Sequence, residues 1–90
     1  MKQTVTQAQL QSVVDRINRI TGSPMTPYID GKIQVGNYHL SGAYGGVCLH
    51  RMHNDGGGVS SPLSTGHIPK RELLALMYAY ITGLNEKVAA

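Results

Sequence analysis

This chain has neither tryptophan nor phenylalanine, and one cysteine in 90 residues. The lone Cys48 cannot close an intrachain disulfide, so the stability is not disulfide-built, which fits a reducing cytoplasm. Charge is scarce as well. Asp, Glu, Lys and Arg make up 14% of the residues, with five acids in all, which leaves few candidates to orient a catalytic histidine or cysteine. No run approaches the roughly 18–20 apolar residues of a membrane span. The segment MKQTVTQAQLQSVV has no uninterrupted apolar stretch and does not read as a signal peptide. These absences predict a protein of the cytoplasm with no membrane partner.

What remains is a folded chain with little charge to keep it solvated. The apolar fraction is 41% and the net charge +3, a mild excess that allows an anionic partner without demanding one. Five tyrosines, Tyr28, Tyr38, Tyr44, Tyr78 and Tyr80, supply all the aromatic bulk. Each carries a hydroxyl that wants a partner, which suits half-buried faces and interfaces. Residues 1–90 make one domain, with 1–5 and 86–90 expected to fray. A chain this short buries only roughly 60–65% of its extended surface and gains from self-association, so a homodimer or higher oligomer is expected.

Thr6 to Gln9 reads as a capping box, and Leu10, Val13, Val14, Ile17 and Ile20 follow at helical spacing. Asp15, Arg16, Asn18 and Arg19 fall on the other side. Gly22 and Pro24 end this first helix, which spans 7–21. TPYID, KIQVGNYHL and VCLHRMH then read as three strands of an antiparallel meander. In the last of them Val47 and Leu49 share one face, and Cys48, His50 and Met52 the other. Nine of the eleven glycines lie between 31 and 66, a density that signals bulges or tight approaches. A second helix starts at Pro69 as first helical residue and ends near Gly83 or Asn85. Its apolar arc is wider than the stripe of roughly 100° that a sheet would cover, which points to a second contact surface. The fold class is α+β, in the order α-β-β-β-α, a three-stranded antiparallel sheet with two helices packed on one face. The face left open carries Cys48, His50 and Met52, with Tyr38 and Leu40 as further candidates.

The segment HNDGGGVSSPLSTGHIPKREL concentrates the functional signal. A helix N-terminus presents unpaired N–H groups and partial positive charge. Lys70 and Arg71 there repel the dipole, and a bound anion would reverse that sign. Glycines 56–58 and 66 allow close backbone approach, Ser60, Ser61, Ser64 and Thr65 supply hydroxyls, and His67 adds a ring nitrogen. The G-x-x-x-x-G-K-[ST] order of a P-loop is absent. Tyr44, on a glycine-flanked turn, is a candidate base-stacking platform. The ligand-binding candidates are therefore Tyr44, Ser64, Thr65, His67, Lys70 and Arg71. A zinc site needs about four convergent ligands, and His50 and His53 point to opposite faces of a strand. Nothing marks an oxyanion hole. No catalytic residue, metal or cofactor is expected, and the protein is read as no enzyme.

Two resemblances bear on the setting. The αβββα order is similar to that of double-stranded-RNA-binding domains, whose last helix opens with a basic pair. Pro69, Lys70, Arg71 and Glu72 stand in the matching place, so the resemblance implies phosphate contacts for Lys70 and Arg71. The chain departs from that family at Leu73 and Leu74, and in lacking a Gly-Pro-x-His pattern between the first strands. VGNYHLSGAYGG, NDGGGVS and KRELLALMYAYITGL resemble short accessory proteins of lambda-like enteric phages and prophages, which implies expression in the host cytoplasm and action against host defences.

The expected function is therefore capture of a phosphorylated ligand, a nucleotide or a nucleic-acid backbone, by the glycine-rich loop 56–71. The alternatives are an inhibitor that grips a host protein through the open sheet face, and a duplex-RNA-binding module.

Overall fold

A computed structural model describes residues 4–89. The elements run α1 (Gln7–Thr21), β1 (Tyr28–Ile29), β2 (Lys32–Ile33), β3 (Tyr38–Ala43), β4 (Gly46–Met52), β5 (Val59–Ser60) and α2 (Lys70–Ala89). The fold is α+β, with two helices and a three-stranded antiparallel sheet in the order β3-β4-β5.

The first helix forms where its sequence says it should. The Thr6 hydroxyl accepts from the Gln9 amide at 3.1 Å, and the Gln9 side chain accepts from the Thr6 amide at 2.8 Å. At the other end Gly22 takes φ 68°, a left-handed cap that glycine adopts without a Cβ penalty. Leu10, Val14 and Ile17 are fully buried. They meet Tyr38, Val47, Leu49, Leu73, Met77 and Ile81 in one core, so both helices lie on the face of the sheet that carries Val47 and Leu49.

The strands differ from the expected meander in one respect. The third strand of the sheet is not TPYID but Val59–Ser60, which pairs with Arg51 and Met52. TPYID and the start of KIQVGNYHL instead form a separate two-stranded ribbon, with Tyr28 opposite Ile33 and Ile29 opposite Lys32. Gly36 is the cause. It takes φ 94° and the Asn37 amide folds back onto the Gln34 carbonyl, so the extended run breaks before Tyr38. Between Ile29 and Lys32, Asp30 and Gly31 both have positive φ, as a type I′ turn requires.

The second helix begins one residue later than expected. The Pro69 carbonyl accepts the Leu73 amide at 3.1 Å, which makes Pro69 the N-cap and Lys70 the first helical residue. The helix runs past Gly83 and Asn85. Of the segments expected to fray, residues 1–3 and 90 lie outside the described residues. Within them Val5 packs against the core and α2 stays helical to Ala89.

Asn18, assigned from the sequence to the solvent side, is 1% exposed. Its side-chain amide donates to the Tyr38 carbonyl at 3.0 Å, and its oxygen accepts from the Tyr38 amide at 2.8 Å. Tyr38 stands opposite Arg51 on an edge strand, with its main-chain groups turned away from β4. Asn18 therefore supplies the pairing that a fourth strand would have given. Replacing it leaves two buried main-chain groups unpaired. Asn18→Ala should lower stability by about 2–4 kcal/mol, read as a lower urea midpoint at unchanged slope, while Arg16→Ala on the exposed side shifts it little. A midpoint for Asn18→Ala equal to that of Arg16→Ala would remove this contact from its structural role.

Candidate functional site

The hairpin between β3 and β4 closes with only two residues, Tyr44 and Gly45, because Ala43 pairs directly with Gly46. Both have positive φ, 53° and 74°. This is again a type I′ turn, where Asn, Asp and Gly are preferred and a bulky side chain is an outlier. The Tyr44 side chain is 100% exposed. A bulky ring thus occupies a position that favours none, with no contact in the core to hold it there.

The two-residue turn also fixes the register. His39 falls opposite His50 and Ser41 opposite Cys48. Period-two alternation then sends Tyr38 and Leu40 to the helices and His39 and Ser41 to the other face, beside Cys48 and His50. Tyr38 and Leu40, considered for the open face from the sequence, belong to the core side.

The chain does not leave β4 for good after Met52. After β5 it bulges outward and returns as Ile68, whose amide and carbonyl exchange hydrogen bonds with Val47 at 2.9 and 2.8 Å. Gly46 is the residue that permits this. A Cβ there would stand 2.8 Å from the His67 carbonyl carbon and 2.9 Å from the Ile68 nitrogen, closer than real Cβ contacts come. His67 and Ile68, the residues that lead into α2, are thereby seated beside the β3–β4 hairpin.

The return places His67 on the outer face. Its Nε2 lies 3.3 Å from the Ser41 hydroxyl. Its ring centroid is 6.2 Å from His50 and 6.1 Å from Tyr44, and His50 is 5.8 Å from His39. Four rings thus run in a row across the outer face, Tyr44, His67, His50 and His39, each edge-on to the next.

The remaining candidates lie on the 61–67 loop and the first turn of α2. Thr65 is half-buried and turned inward, its carbonyl 3.6 Å and its hydroxyl 3.8 Å from the Cys48 sulfur. The Ser61 hydroxyl lies 3.6 Å from the same sulfur. The loop therefore lids Cys48, which is 2% exposed. Ser64 is exposed at φ 54°, its amide bonded to the Ser61 carbonyl. Lys70 and Arg71 are exposed on the first turn of α2, with Glu72 beside them. Pro69 has no side-chain oxygen to cap that turn. Among the described residues no group of three or more His, Cys, Asp or Glu side chains is placed to hold a metal ion, and there is no pocket. A ligand held by one copy would lie on the surface.

His39 and His50 are the residues that sequence reasoning left out of the site. The signal was available in the GAYGG turn: two turn residues set the register, and the register sets which rings are neighbours.

Burial, and then the charge of His50, hold His39 below the usual imidazole value; burial, and then His67, do the same for His50. A histidine depressed in the folded state binds fewer protons than in the unfolded chain, so stability must fall on acidification. The contribution is complete above about pH 6.5, the unfolded value, and is lost as pH drops through the lower folded values. Chemical denaturation from pH 7.5 to 5.5 should show this decline, and His39→Gln with His50→Gln should flatten it. A wild-type profile that is level or rises toward pH 5.5 contradicts the assignment.

No family model, curated protein or solved structure matches the chain, so the chemistry of these side chains carries the functional reading.

Proposed function

We propose that the protein binds a phosphorylated ligand on its surface, at the junction of the β3–β4 hairpin and the start of α2. The observation that carries this is the wholly exposed Tyr44, held at positive φ beside His67. Strain of this kind without a packing reward points to use rather than to stability. An aromatic ring beside cations is the combination that takes a base on one side and a phosphate on the other.

Lys70 and Arg71 follow His67 by three and four residues, and Gly46 lets His67 and Ile68 lie against the hairpin. An anion there would meet the positive end of the α2 dipole and amides that Pro69 does not cap. Because the described residues form no pocket, a nucleic-acid backbone suits the surface better than a small nucleotide enclosed by one copy. The likeness to phage accessory proteins supplies a setting in which such capture would counteract a host defence, in the host cytoplasm and without catalysis. The sheet-face inhibitor is the weaker reading, because the 61–67 loop already covers the Cys48 part of that face.

Lys70→Ala combined with Arg71→Ala should weaken a phosphorylated ligand by about two orders of magnitude or more, since each loses a charge-assisted bond. The circular dichroism spectrum should be retained. Filter binding against mononucleotides, single-stranded DNA and RNA, and duplex RNA reads the effect. A double variant that binds as the wild type does would exclude this site.

A homo-oligomer belongs to the same proposal. On α2, Leu76 and Tyr78 are 40% and 49% exposed, and buried apolar area on a second copy would stabilise so short a chain. Light scattering at micromolar concentration should give at least twice 9.7 kDa. A monomer that persists at millimolar concentration would end this part of the proposal.

A further inference from the structure

We infer that the outer face of the sheet is a track for single-stranded nucleic acid, in which Tyr44, His67, His50 and His39 receive successive bases. This rests on the reading of Lys70 and Arg71 as the phosphate-holding end, and it extends the site from that end across the sheet.

The spacing of the rings is the first reason. Their centroids step by 6.1, 6.2 and 5.8 Å. Bases in a duplex rise by about 3.4 Å, so a duplex cannot set successive bases on successive rings. A single strand can, because its bases splay apart. Tyrosine and histidine are both side chains on which unstacked bases rest. The rings meet edge to face, with interplanar angles of 89°, 71° and 74°, and form no parallel stack among themselves.

Charge is the second reason. The outer face displays His39, Ser41, Tyr44, His50 and His67 over the lidded Cys48, and none of these is an acid. A strand laid on it meets no carboxylate along the row, and the basic residues Lys70 and Arg71 follow its hairpin end in the chain. Hydroxyls at Ser41 and Tyr44 and the ring nitrogens can contact sugar or phosphate without reading sequence, so a sequence-tolerant site of about four nucleotides is expected, the small end for single-strand-binding surfaces.

Fluorescence anisotropy with labelled oligo(dT) and oligo(U) of one to eight nucleotides, and a twelve-base-pair duplex as comparison, tests the track. Affinity should climb steeply up to about four nucleotides and little beyond, and the duplex should bind more weakly than the single strand of equal length. His50→Ala and His39→Ala should each weaken the octamer by about 5- to 100-fold, the loss of one stacked base. His50→Phe, which keeps a ring, should retain most of the octamer affinity, and this separates loss of stacking from loss of fold.

Affinity that does not grow with length, with the His39 and His50 variants silent, overturns the track and leaves the Lys70–Arg71 phosphate site standing. Tighter binding of the duplex overturns it too. If neither oligonucleotides nor mononucleotides bind the wild type, both the track and the phosphate site fail. Loss of a protein partner on His50→Ala in that case would make the face a protein-docking surface.

Discussion

The paired hydrogen bonds between the Asn18 side chain and the Tyr38 main chain are the constraint on which the rest of the molecule depends. They fix three things at once. They hold α1 against the edge of the sheet. They end the need for another strand beside Tyr38. They also set the side-chain phase of β3, because a strand whose residue 38 faces the helices must turn 39 and 41 away from them. Tyr38 itself then ties the layers together. Its hydroxyl lies 2.8 Å from that of Tyr80 on α2, and Arg51 sits 5.3 Å over its ring. Burial, and then the Tyr80 hydrogen bond, push its hydroxyl up to about 12, so this junction stays neutral across the physiological range. The histidine row exists because this phase is fixed.

A second constraint acts at Gly46. The sheet is completed on its far side not by a long strand but by two short returns of the chain, Val59–Ser60 opposite Arg51 and Met52, and Ile68 opposite Val47. The stretch between them bulges and lids Cys48. Asn54 shapes the earlier turn, between β4 and β5, by accepting from the Gly56 and Gly58 amides. The bulge looks like a connector in sequence, yet its two ends are sheet. Anchoring it there makes His67 a neighbour of Tyr44 and His50, which lie 23 and 17 positions away in the chain.

Much of this was legible in the sequence, and the parts that were not share a physical cause. The first helix was readable to the residue, because a capping box, a five-residue apolar stripe and a glycine cap all agree on it. The α+β class and the alternation of β4 were readable for the same reason. Asn18 was not, since a polar side chain at a stripe's margin looks like surface until its partner is known, and that partner is a main-chain group twenty residues away. The third strand was not, because two residues cannot show a period and Val59–Ser60 sits among glycines and serines. Gly36 broke a run whose apolar residues, Ile33, Val35, Tyr38 and Leu40, looked continuous. Of the candidate residues, Tyr44, His67, Lys70 and Arg71 were singled out from local chemistry, and the structure brings Tyr44 and His67 together. His39 and His50 needed the register, and Thr65 turned inward because Cys48 lies beneath it.

The position of Tyr44 links the fold to the site. A type I′ turn at 44–45 could have been built from Asn-Gly, as the Asp30–Gly31 turn nearly is, with less strain and no exposed ring. Two hairpins in one small chain thus have the same geometry, one with the residue the turn favours and one without. The difference lies in what stands beside them. At 44–45 the neighbour is His67, whose main chain Gly46 admits against the hairpin; the 30–31 turn is not part of the row. The unfavourable residue stands at the end of the row of rings, and the favourable one outside that row. An exposed ring in strained backbone makes sense if it gains its contacts from a ligand, and the histidines behind it continue the surface on which that ligand would lie.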